Sequence, residues 1–240
     1  MGQNICSKYT LSYFCKGEKI MVEVSTSILS VKEEDSIRTF YNLETAKTDY
    51  FHIDVMDGKF VENDTQEKMM TYAKNLKQIT TLPLDIHLMV QNVATLLEEY
   101  IPLQPSNITF HLEAGEQEEV KKWIQTIKEN GIKVGLAIKP HTPLESILEF
   151  LPYVHMVLVM TVEPGKGGQK LLDFTLDKIQ QLDHYRQEQQ LDYAIEADGG
   201  INLETKDAVV KAGADILVVG SAMIQAKDFA EEMKKIKQDT

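Results

Sequence analysis

A regular alternation of short apolar runs with longer segments of helical periodicity constrains the fold more than any other feature of this sequence. Short runs rich in β-branched and aliphatic residues indicate buried strands, and the segments between them are typical of helices that connect parallel strands. The predicted strands are Val22–Leu29, Tyr50–Val55, Leu84–Met89, Asn107–His111, Lys133–Ile138, Met156–Thr161, Tyr193–Asp198 and Ile216–Val219. Their number and spacing predict an α/β protein, specifically a (β/α)8 TIM barrel.

One connecting segment, Glu119–Asn130, shows the helical pattern clearly. Val120, Trp123, Ile124 and Ile127 recur at helical spacing, and a glycine follows the segment as a C-terminal stop. We therefore expect this helix to pack its apolar face, including the tryptophan, on the core rather than against a ligand.

A doubly wound open sheet is the competing α/β architecture. It usually carries a glycine-rich turn after its first strand, whereas the stretch after Leu29, SVKEEDSIRT, contains no glycine. The glycine-rich turns instead follow the last predicted strands, where barrels commonly build phosphate sites. The pattern favours the barrel.

Composition narrows the class of partner. A net charge of -12 and a pI near 5.0 argue against binding nucleic acid or an anionic membrane, because both require clustered cationic surface. The only cysteines, Cys6 and Cys15, rule out a disulfide framework or a cysteine metal site in the main body and favour a reducing cytoplasm. No apolar run is long enough to cross a bilayer.

The first residues lack the strand and helix alternation that follows them. We expect residues 1–20 to be an N-terminal extension, disordered or loosely docked, and residues 21–240 to form one barrel domain. Gly2 is reminiscent of an acylation signal, but Cys6 stands where that signal needs serine or threonine, so acylation is not expected.

Polar side chains stand where several predicted strands end, at Ser27, His52, Asp54, His87 and Asp198. These ends converge on one mouth in a barrel, so distant residues share a site. Two imidazoles and two carboxylates form a mixed ligand set suited to Zn²⁺, Fe²⁺, Mn²⁺ or Co²⁺. A lone strand histidine is more often a hydrogen-bonded structural group than a metal ligand, but four candidates at convergent strand ends favour one divalent metal ion.

Glycine-bearing loops form a second cluster, at Pro164–Gln169, Gly199–Gly200 and Gly220–Ser221. Glycine lets backbone N–H groups approach a phosphate closely without any cationic side chain, which is how an acidic protein binds an anion. Lys166 lies in the first loop. It either contacts the phosphate or is a solvated lysine on a flexible lid.

Methionines at positions 56, 89 and 160 lie near the same strand ends. They are either core-filling side chains or an apolar lid that excludes water from a reacting centre. Asp57 precedes a glycine and is interpreted as a turn residue. His111 and Glu113 also stand at a strand end and are interpreted as structural.

Together these motifs resemble the ribulose-phosphate 3-epimerase family, in family order across most of residues 21–224. The segments that carry the resemblance are STSILS (Ser25–Ser30), HIDVMDGKFVEN (His52–Asn63), LDIHLMV (Leu84–Val90), ITFHLEAG (Ile108–Gly115), KVGLAIKPHTP (Lys133–Pro143), MVLVMTVEPGKGGQK (Met156–Lys170), EADGGIN (Glu196–Asn202) and AGADILVVGSAMI (Ala212–Ile224).

The resemblance implies a ribulose-phosphate-binding barrel that interconverts D-ribulose 5-phosphate and D-xylulose 5-phosphate, a step of the pentose phosphate pathway. It implies two-base proton transfer at C3 through a metal-stabilised enediolate, with Asp54 and Asp198 as the acid/base pair. The implied metal ligands are His52, Asp54, His87 and Asp198. The implied substrate-binding residues are Ser27, Met56, His87, Met89, Met160, Gly165, Lys166, Gly167, Gly168, Gly199, Gly200, Gly220 and Ser221.

The family also implies a homo-oligomer, a dimer or a hexamer. Lys166 stands where the family usually has phenylalanine, which leaves the preferred sugar open. Two other functions are therefore kept: 3-epimerisation of a hexulose 6-phosphate such as D-allulose 6-phosphate, and phosphosugar binding without catalysis. Retention of both acids, Asp54 and Asp198, argues against the second.

Overall fold

Eight parallel strands close into a barrel in which each strand pairs with the next along the chain and β8 pairs with β1. This computed structural model describes residues 22–238. The strands are β1 Glu23–Ser27, β2 Tyr50–Met56, β3 Leu84–Met89, β4 Asn107–His111, β5 Lys133–Ile138, β6 Met156–Met160, β7 Ala194–Asp198 and β8 Ile216–Val219. The predicted barrel is thus confirmed, and every predicted strand is present, with ends that differ by at most two residues.

Helices surround the barrel and cover its outer face. They are α1 Ser36–Thr45, α2 Gln66–Ile79, α3 Val93–Tyr100, α4 Gln117–Glu129, α5 Thr175–Gln189, α6 Lys206–Ala212, α7 Ser221–Ile224 and α8 Phe229–Lys237. The connection from β5 to β6 contains two 3₁₀ helices, Leu144–Ser146 and Leu148–Tyr153, and no α-helix. Pro152 lies inside the second of these and removes a backbone donor that an α-helix would need.

Helix α4 behaves as its periodicity predicts. Glu116 and Glu119 cap its first turn reciprocally, which satisfies two backbone N–H groups that have no partner within the helix. Its four apolar positions are buried, and the Trp123 ring meets Phe110 of β4 edge to face at 5.4 Å. The apolar core therefore lies between strands and helices, where Trp123 contributes packing area.

The interior of the barrel is more polar than is usual for this fold, whose interior is commonly filled by branched apolar side chains. Asp85 on β3 is 1% exposed, and it accepts hydrogen bonds from Ser25 of β1 at 2.7 Å and from the Asn107 amide of β4. Glu196 on β7 is fully buried nearby. A buried polar layer of this kind is tolerated only where its groups satisfy one another or serve a site.

The predictions for residues 1–20 fall outside the described part of the chain, so the division into extension and barrel domain stays a prediction. Within residues 22–238, no helix combines the length and apolar character needed to span a membrane.

Candidate metal centre and active site

Four side chains from three strands converge at the carboxyl end of the barrel. His52 and Asp54 project from β2, His87 from β3 and Asp198 from β7, and one ligand atom of each lies within 4.8 Å of the others. Asp54 Oδ1 lies 3.3 Å from His52 Nε2 and 3.4 Å from His87 Nδ1. Asp198 Oδ2 lies 3.7 Å and 3.4 Å from the same two nitrogens. The structure thus brings together the whole predicted ligand set.

The donor atoms of this cluster fit a divalent metal ion. His52 Nε2 and His87 Nδ1 are fully buried and have no hydrogen-bond partner within residues 22–238. A buried polar atom without a partner is rare and needs an explanation. Ligand atoms that share one tetrahedral ion at about 2.0–2.2 Å lie about 3.3–3.6 Å apart, which matches the separations of 3.3–3.7 Å seen here.

The remote nitrogen of each histidine is held by a buried partner. His52 Nδ1 lies 2.5 Å from Asp85 Oδ2, and His87 Nε2 lies 3.0 Å from His111 Nε2. Such contacts fix the orientation of the ring and leave the opposite nitrogen free as a metal ligand. The inward nitrogens are therefore Nε2 of His52 and Nδ1 of His87.

Sequence reasoning missed Asp85 and Glu196. Asp85 and His87 alternate on β3, and Glu196 and Asp198 alternate on β7, so each missed acid lies on the same side of its strand as a predicted ligand. That spacing was available in the sequence. Asp85 and Glu196 also form with His52 a second cluster of metal-ligating groups. Because Asp85 already accepts three hydrogen bonds, we interpret this deeper cluster as support for His52.

Neighbouring charges shift the pKa values of several groups in the cluster. Burial opposes a charge on His52, but Asp85 and Asp54 outweigh it and raise the pKa of His52 well above its ordinary value. Burial likewise opposes ionisation of Asp54, but His52 and His87 hold the pKa of Asp54 far below its ordinary value. The pKa of Asp85 falls to about 2 despite burial, because of His52. Asp54 and Asp85 are therefore ionised at neutral pH.

Glu196 behaves in the opposite way, since burial and the nearby Asp85 charge raise its pKa well above the ordinary value of 4.5. The folded protein therefore binds this proton more tightly than the unfolded chain does. The resulting stability is complete below about pH 4.5 and is lost as the pH rises through the folded-state pKa.

We expect Glu196→Gln to remove this loss of stability at higher pH, because the amide has the shape of the protonated acid and does not titrate. In metal-free protein, the free energy of unfolding of wild type should fall relative to the variant as the pH is raised above about 4.5. Urea denaturation across pH measures this. Glu98→Gln, at an exposed position on α3, is the control; a constant difference between E196Q and wild type would contradict the expectation.

A cavity of about 340 Å³ opens directly above the cluster. Its lining includes Ser27, Asp54, Met56, Met89, Met160, Gly165, Lys166, Gly167, Gly168, Asp198, Gly199, Gly200, Gly220 and Ser221. Every predicted substrate-binding residue except His87 is among them. His87 is fully buried and is not among the lining residues, so its predicted contact with substrate stays a prediction.

Asp54 and Asp198 form the polar part of the cavity floor. The Asp54 side chain is 7% exposed and that of Asp198 is 15% exposed. Ser27 donates a hydrogen bond of 2.7 Å to Asp54 Oδ2, whereas Asp54 Oδ1 is the oxygen near the histidines. Asp54 therefore has one oxygen near the imidazoles and a second oxygen held by a hydroxyl. The methionines beside them are at most 2% exposed and supply an apolar wall.

Glycine is required in the loop after β7. Gly199 and Gly200 have φ of +122° and +69°, in the region that favours glycine. A Cβ at Gly200 would lie 2.4 Å from the backbone nitrogen of Leu171, and one at Gly199 would lie 2.3 Å from the Val162 side chain. Any side chain here would therefore displace the loop after β6.

The loop after β6 is tied to its neighbours. Gln169 donates from its amide to the carbonyl oxygens of Glu163 at 2.6 Å and Lys166 at 2.8 Å, and Asn63 donates to Gly165 O at 2.6 Å. The Lys166 side chain is exposed and also lines an adjoining cavity of about 470 Å³. This position is compatible with either of its predicted roles.

Asp57 has the structural role predicted for it. Its Oδ1 accepts from the backbone N–H groups of Lys59 and Phe60, and its Oδ2 accepts from that of Gln91 at 2.7 Å. These bonds tie the loop after β2 to the loop after β3. The carboxylate is thus engaged by backbone and lies outside the metal cluster.

The fold and the position of the cluster place the molecule among the (β/α)8 barrel enzymes, whose active sites lie at the C-terminal ends of the strands. Residues 23–224 match the ribulose-phosphate 3 epimerase family, and the chain belongs to that family.

Named relatives agree with this family. The chain is 40% identical to ribulose-phosphate 3-epimerase from Methanocaldococcus jannaschii over 221 residues, which is 91% of each chain. It is 36% identical to ribulose-phosphate 3-epimerase from Bacillus subtilis over 218 residues, 90% of this chain and 99% of the relative. Among solved structures, a 3-hexulose-6-phosphate synthase superposes with a TM-score of 0.67 at 14% identity, covering 90% of this chain and 98% of the other. That likeness supports the fold alone.

Proposed function

We propose that this protein interconverts D-ribulose 5-phosphate and D-xylulose 5-phosphate by inverting the configuration at C3. The observation that carries the proposal is the pair of carboxylates, Asp54 and Asp198, on the floor of one cavity, each beside the same two buried imidazole nitrogens. Family membership and the names of the relatives support the substrate.

Inversion at C3 requires removal of a proton from one face of the carbon and return of a proton to the other. The C3 proton is acidified by the neighbouring ketone, and its removal gives an enediolate that lacks the original configuration. Two acid/base groups are therefore needed, and Asp54 and Asp198 fill these roles in the proposal. Each positioned acid or base contributes about 10²–10⁴-fold to the rate.

The two oxygens of Asp54 have different partners, which suits one of them to proton transfer. Ser27 donates to Asp54 Oδ2 at 2.7 Å, while Oδ1 lies near the imidazoles. Asp198 approaches the cavity from β7 and Asp54 from β2, with β1 and β8 between these strands. A sugar lying across the floor would meet carboxylates from two directions.

His52, Asp54, His87 and Asp198 would hold one divalent ion, for which Zn²⁺, Fe²⁺, Mn²⁺ and Co²⁺ are candidates. When bound, the ion supplies Lewis-acid stabilisation of negative charge on the substrate oxygens. The protein positions the imidazoles by their remote nitrogens, and the imidazoles keep Asp54 ionised.

The remaining residues of the cavity would bind and enclose the sugar. Gly165–Gly168, Gly199–Gly200 and Gly220–Ser221 would receive the phosphate through backbone N–H groups. Met56, Met89 and Met160 would exclude water above the acids, which strengthens electrostatic interactions at C3. Lys166 would act at the rim of the cavity.

In this proposal the protein acts in the cytoplasm, in the pentose phosphate pathway. It does so as a homo-oligomer, either a dimer or a hexamer. The absence of a cysteine framework and the family membership support this setting. A small-molecule phosphosugar is its partner, and the acidic surface offers no support for nucleic acid or anionic membranes.

Parallel assays with each candidate metal test the substrate. Purified protein should convert D-ribulose 5-phosphate to D-xylulose 5-phosphate with a kcat/KM at least about tenfold above that for D-allulose 6-phosphate, a difference on the order of 1.4 kcal/mol in transition-state binding. A higher kcat/KM for the hexulose phosphate would overturn the substrate assignment. Tight binding of either sugar without turnover would indicate the non-catalytic barrel.

A further inference from the structure

A buried chain of contacts leads away from the metal cluster through residues that the proposed mechanism does not use. His87 Nε2 lies 3.0 Å from His111 Nε2, and His111 Nδ1 lies 3.2 Å from Glu113 Oε2. Both imidazoles are fully buried, and the Glu113 side chain is 22% exposed. The chain therefore connects a proposed metal ligand to an acid on the loop after β4.

The partners of Glu113 determine which atoms carry protons. Its Oε1 accepts from the backbone N–H of Lys139 at 2.8 Å and from the Thr142 hydroxyl. With the carboxylate accepting on Oε2 as well, His111 carries its proton on Nδ1 and exposes a lone pair on Nε2. His87 then donates from Nε2 to that lone pair, which leaves its Nδ1 lone pair directed at the cluster.

We infer that Glu113 is a positioning residue for the metal site, acting through His111 to keep the His87 Nδ1 lone pair available. This inference rests on the proposed metal site and deepens it. It gives a role to His111 and Glu113, which the sequence alone presents as structural residues.

The loop that binds Glu113 is held from its other side. Lys178 of α5 donates to three carbonyl oxygens, those of Lys139 at 3.0 Å, Pro140 at 2.8 Å and Thr142 at 2.7 Å. These bonds restrain the loop that supplies both donors to Glu113 Oε1, Lys139 N–H and the Thr142 hydroxyl. This rigidity makes an isosteric substitution informative.

Glu113→Gln loses a hydrogen bond in either orientation of its amide, and we expect the orientation that keeps the bonds from Lys139 and Thr142. If the amide oxygen stays with Lys139 N–H, the NH₂ group faces His111 Nδ1, which must then accept. The His111 proton moves to Nε2 and the His87 proton moves to Nδ1, the ligand atom. If the amide turns round, its NH₂ group faces the backbone N–H of Lys139, so that two donors meet and neither has an acceptor.

The test measures the Zn²⁺ dissociation constant of the full-length protein by competition with a chromophoric chelator. Glu113→Gln should weaken Zn²⁺ binding by about 10–100-fold, the range typical of lost outer partners of metal-ligating histidines. Glu118→Gln, whose side chain on α4 is 85% exposed, should bind Zn²⁺ as wild type does. Equal affinity of wild type and E113Q would overturn the inference.

A double-mutant cycle separates positioning from general destabilisation. In a His111→Phe background, where the connection is cut, Glu113→Gln should change Zn²⁺ affinity by less than about twofold. An unchanged penalty in that background would overturn the inference. A second measurement reads the His111 tautomer of wild-type protein from its ¹⁵N chemical shifts. A proton on Nδ1 supports the inference, and a proton on Nε2 overturns it.

Failure of this inference differs from failure of the proposed function. Wild-type protein that binds no Zn²⁺ and shows no epimerisation would remove the metal site itself. Wild-type protein that binds Zn²⁺ and turns over substrate, with affinity unaffected by E113Q, would remove only the role of Glu113.

Discussion

Asp54→Asn and Asp198→Asn are each expected to lower turnover by about 10²–10⁴-fold while the barrel stays folded. Asparagine keeps the shape of the side chain but can neither take up nor return a proton at C3. Both residues line the cavity floor, and Asp54 accepts the 2.7 Å hydrogen bond from Ser27 that an amide oxygen can still accept. Steady-state kinetics measures turnover, and circular dichroism measures whether the barrel stays folded.

The two variants should also differ from each other. With one base left, and with metal content verified, each variant should exchange the C3 proton of one epimer with solvent, and the two variants should prefer opposite epimers. Asp177→Asn, at an exposed position on α5, is the matched control and should retain wild-type turnover. Near-normal epimerisation by either site variant would remove that residue from the acid/base pair.

Removal of divalent metal is expected to lower activity by on the order of 10²–10³-fold, because Lewis-acid stabilisation contributes several kcal/mol and each 1.4 kcal/mol is tenfold in rate. Activity should return when Zn²⁺, Fe²⁺, Mn²⁺ or Co²⁺ is added. Metal should also raise the melting temperature, because an ion that binds only the folded state stabilises it. The two unpartnered nitrogens, His52 Nε2 and His87 Nδ1, motivate this expectation.

A histidine pair provides the control for the metal experiment. His87→Ala should lose the rise in melting temperature on addition of metal, whereas His141→Ala, whose imidazole is 75% exposed, should keep it. Full activity after exhaustive chelation, or equal metal responses in both variants, would contradict the assigned site.

Much of the fold was predictable because strand periodicity is a local signal. In runs such as Leu84–Met89 and Lys133–Ile138 nearly every residue is buried, as expected for strands of a parallel barrel. The β5 to β6 connection was less predictable. Its prolines and short apolar segments form 3₁₀ turns rather than a helix, an outcome that depends on packing around them.

The site was predictable where one strand contributes alternating polar residues, as with His52 and Asp54. The contacts behind it depend on pairing between strands. His52 stands opposite Asp85 in the register of β2 and β3, and His87 approaches His111 because β3 neighbours β4. No local pattern states which residues meet across strands, so the partners of the imidazoles required the structure.

The central claim is that Asp54 and Asp198 move protons at C3, and solvent deuterium tests it most directly. In deuterated water with divalent metal, wild-type protein should form D-xylulose 5-phosphate from D-ribulose 5-phosphate with deuterium at C3, read by NMR. Two carboxylates that exchange their protons with solvent predict this label. Product that keeps the original C3 proton, or no product with any candidate metal, would contradict the account.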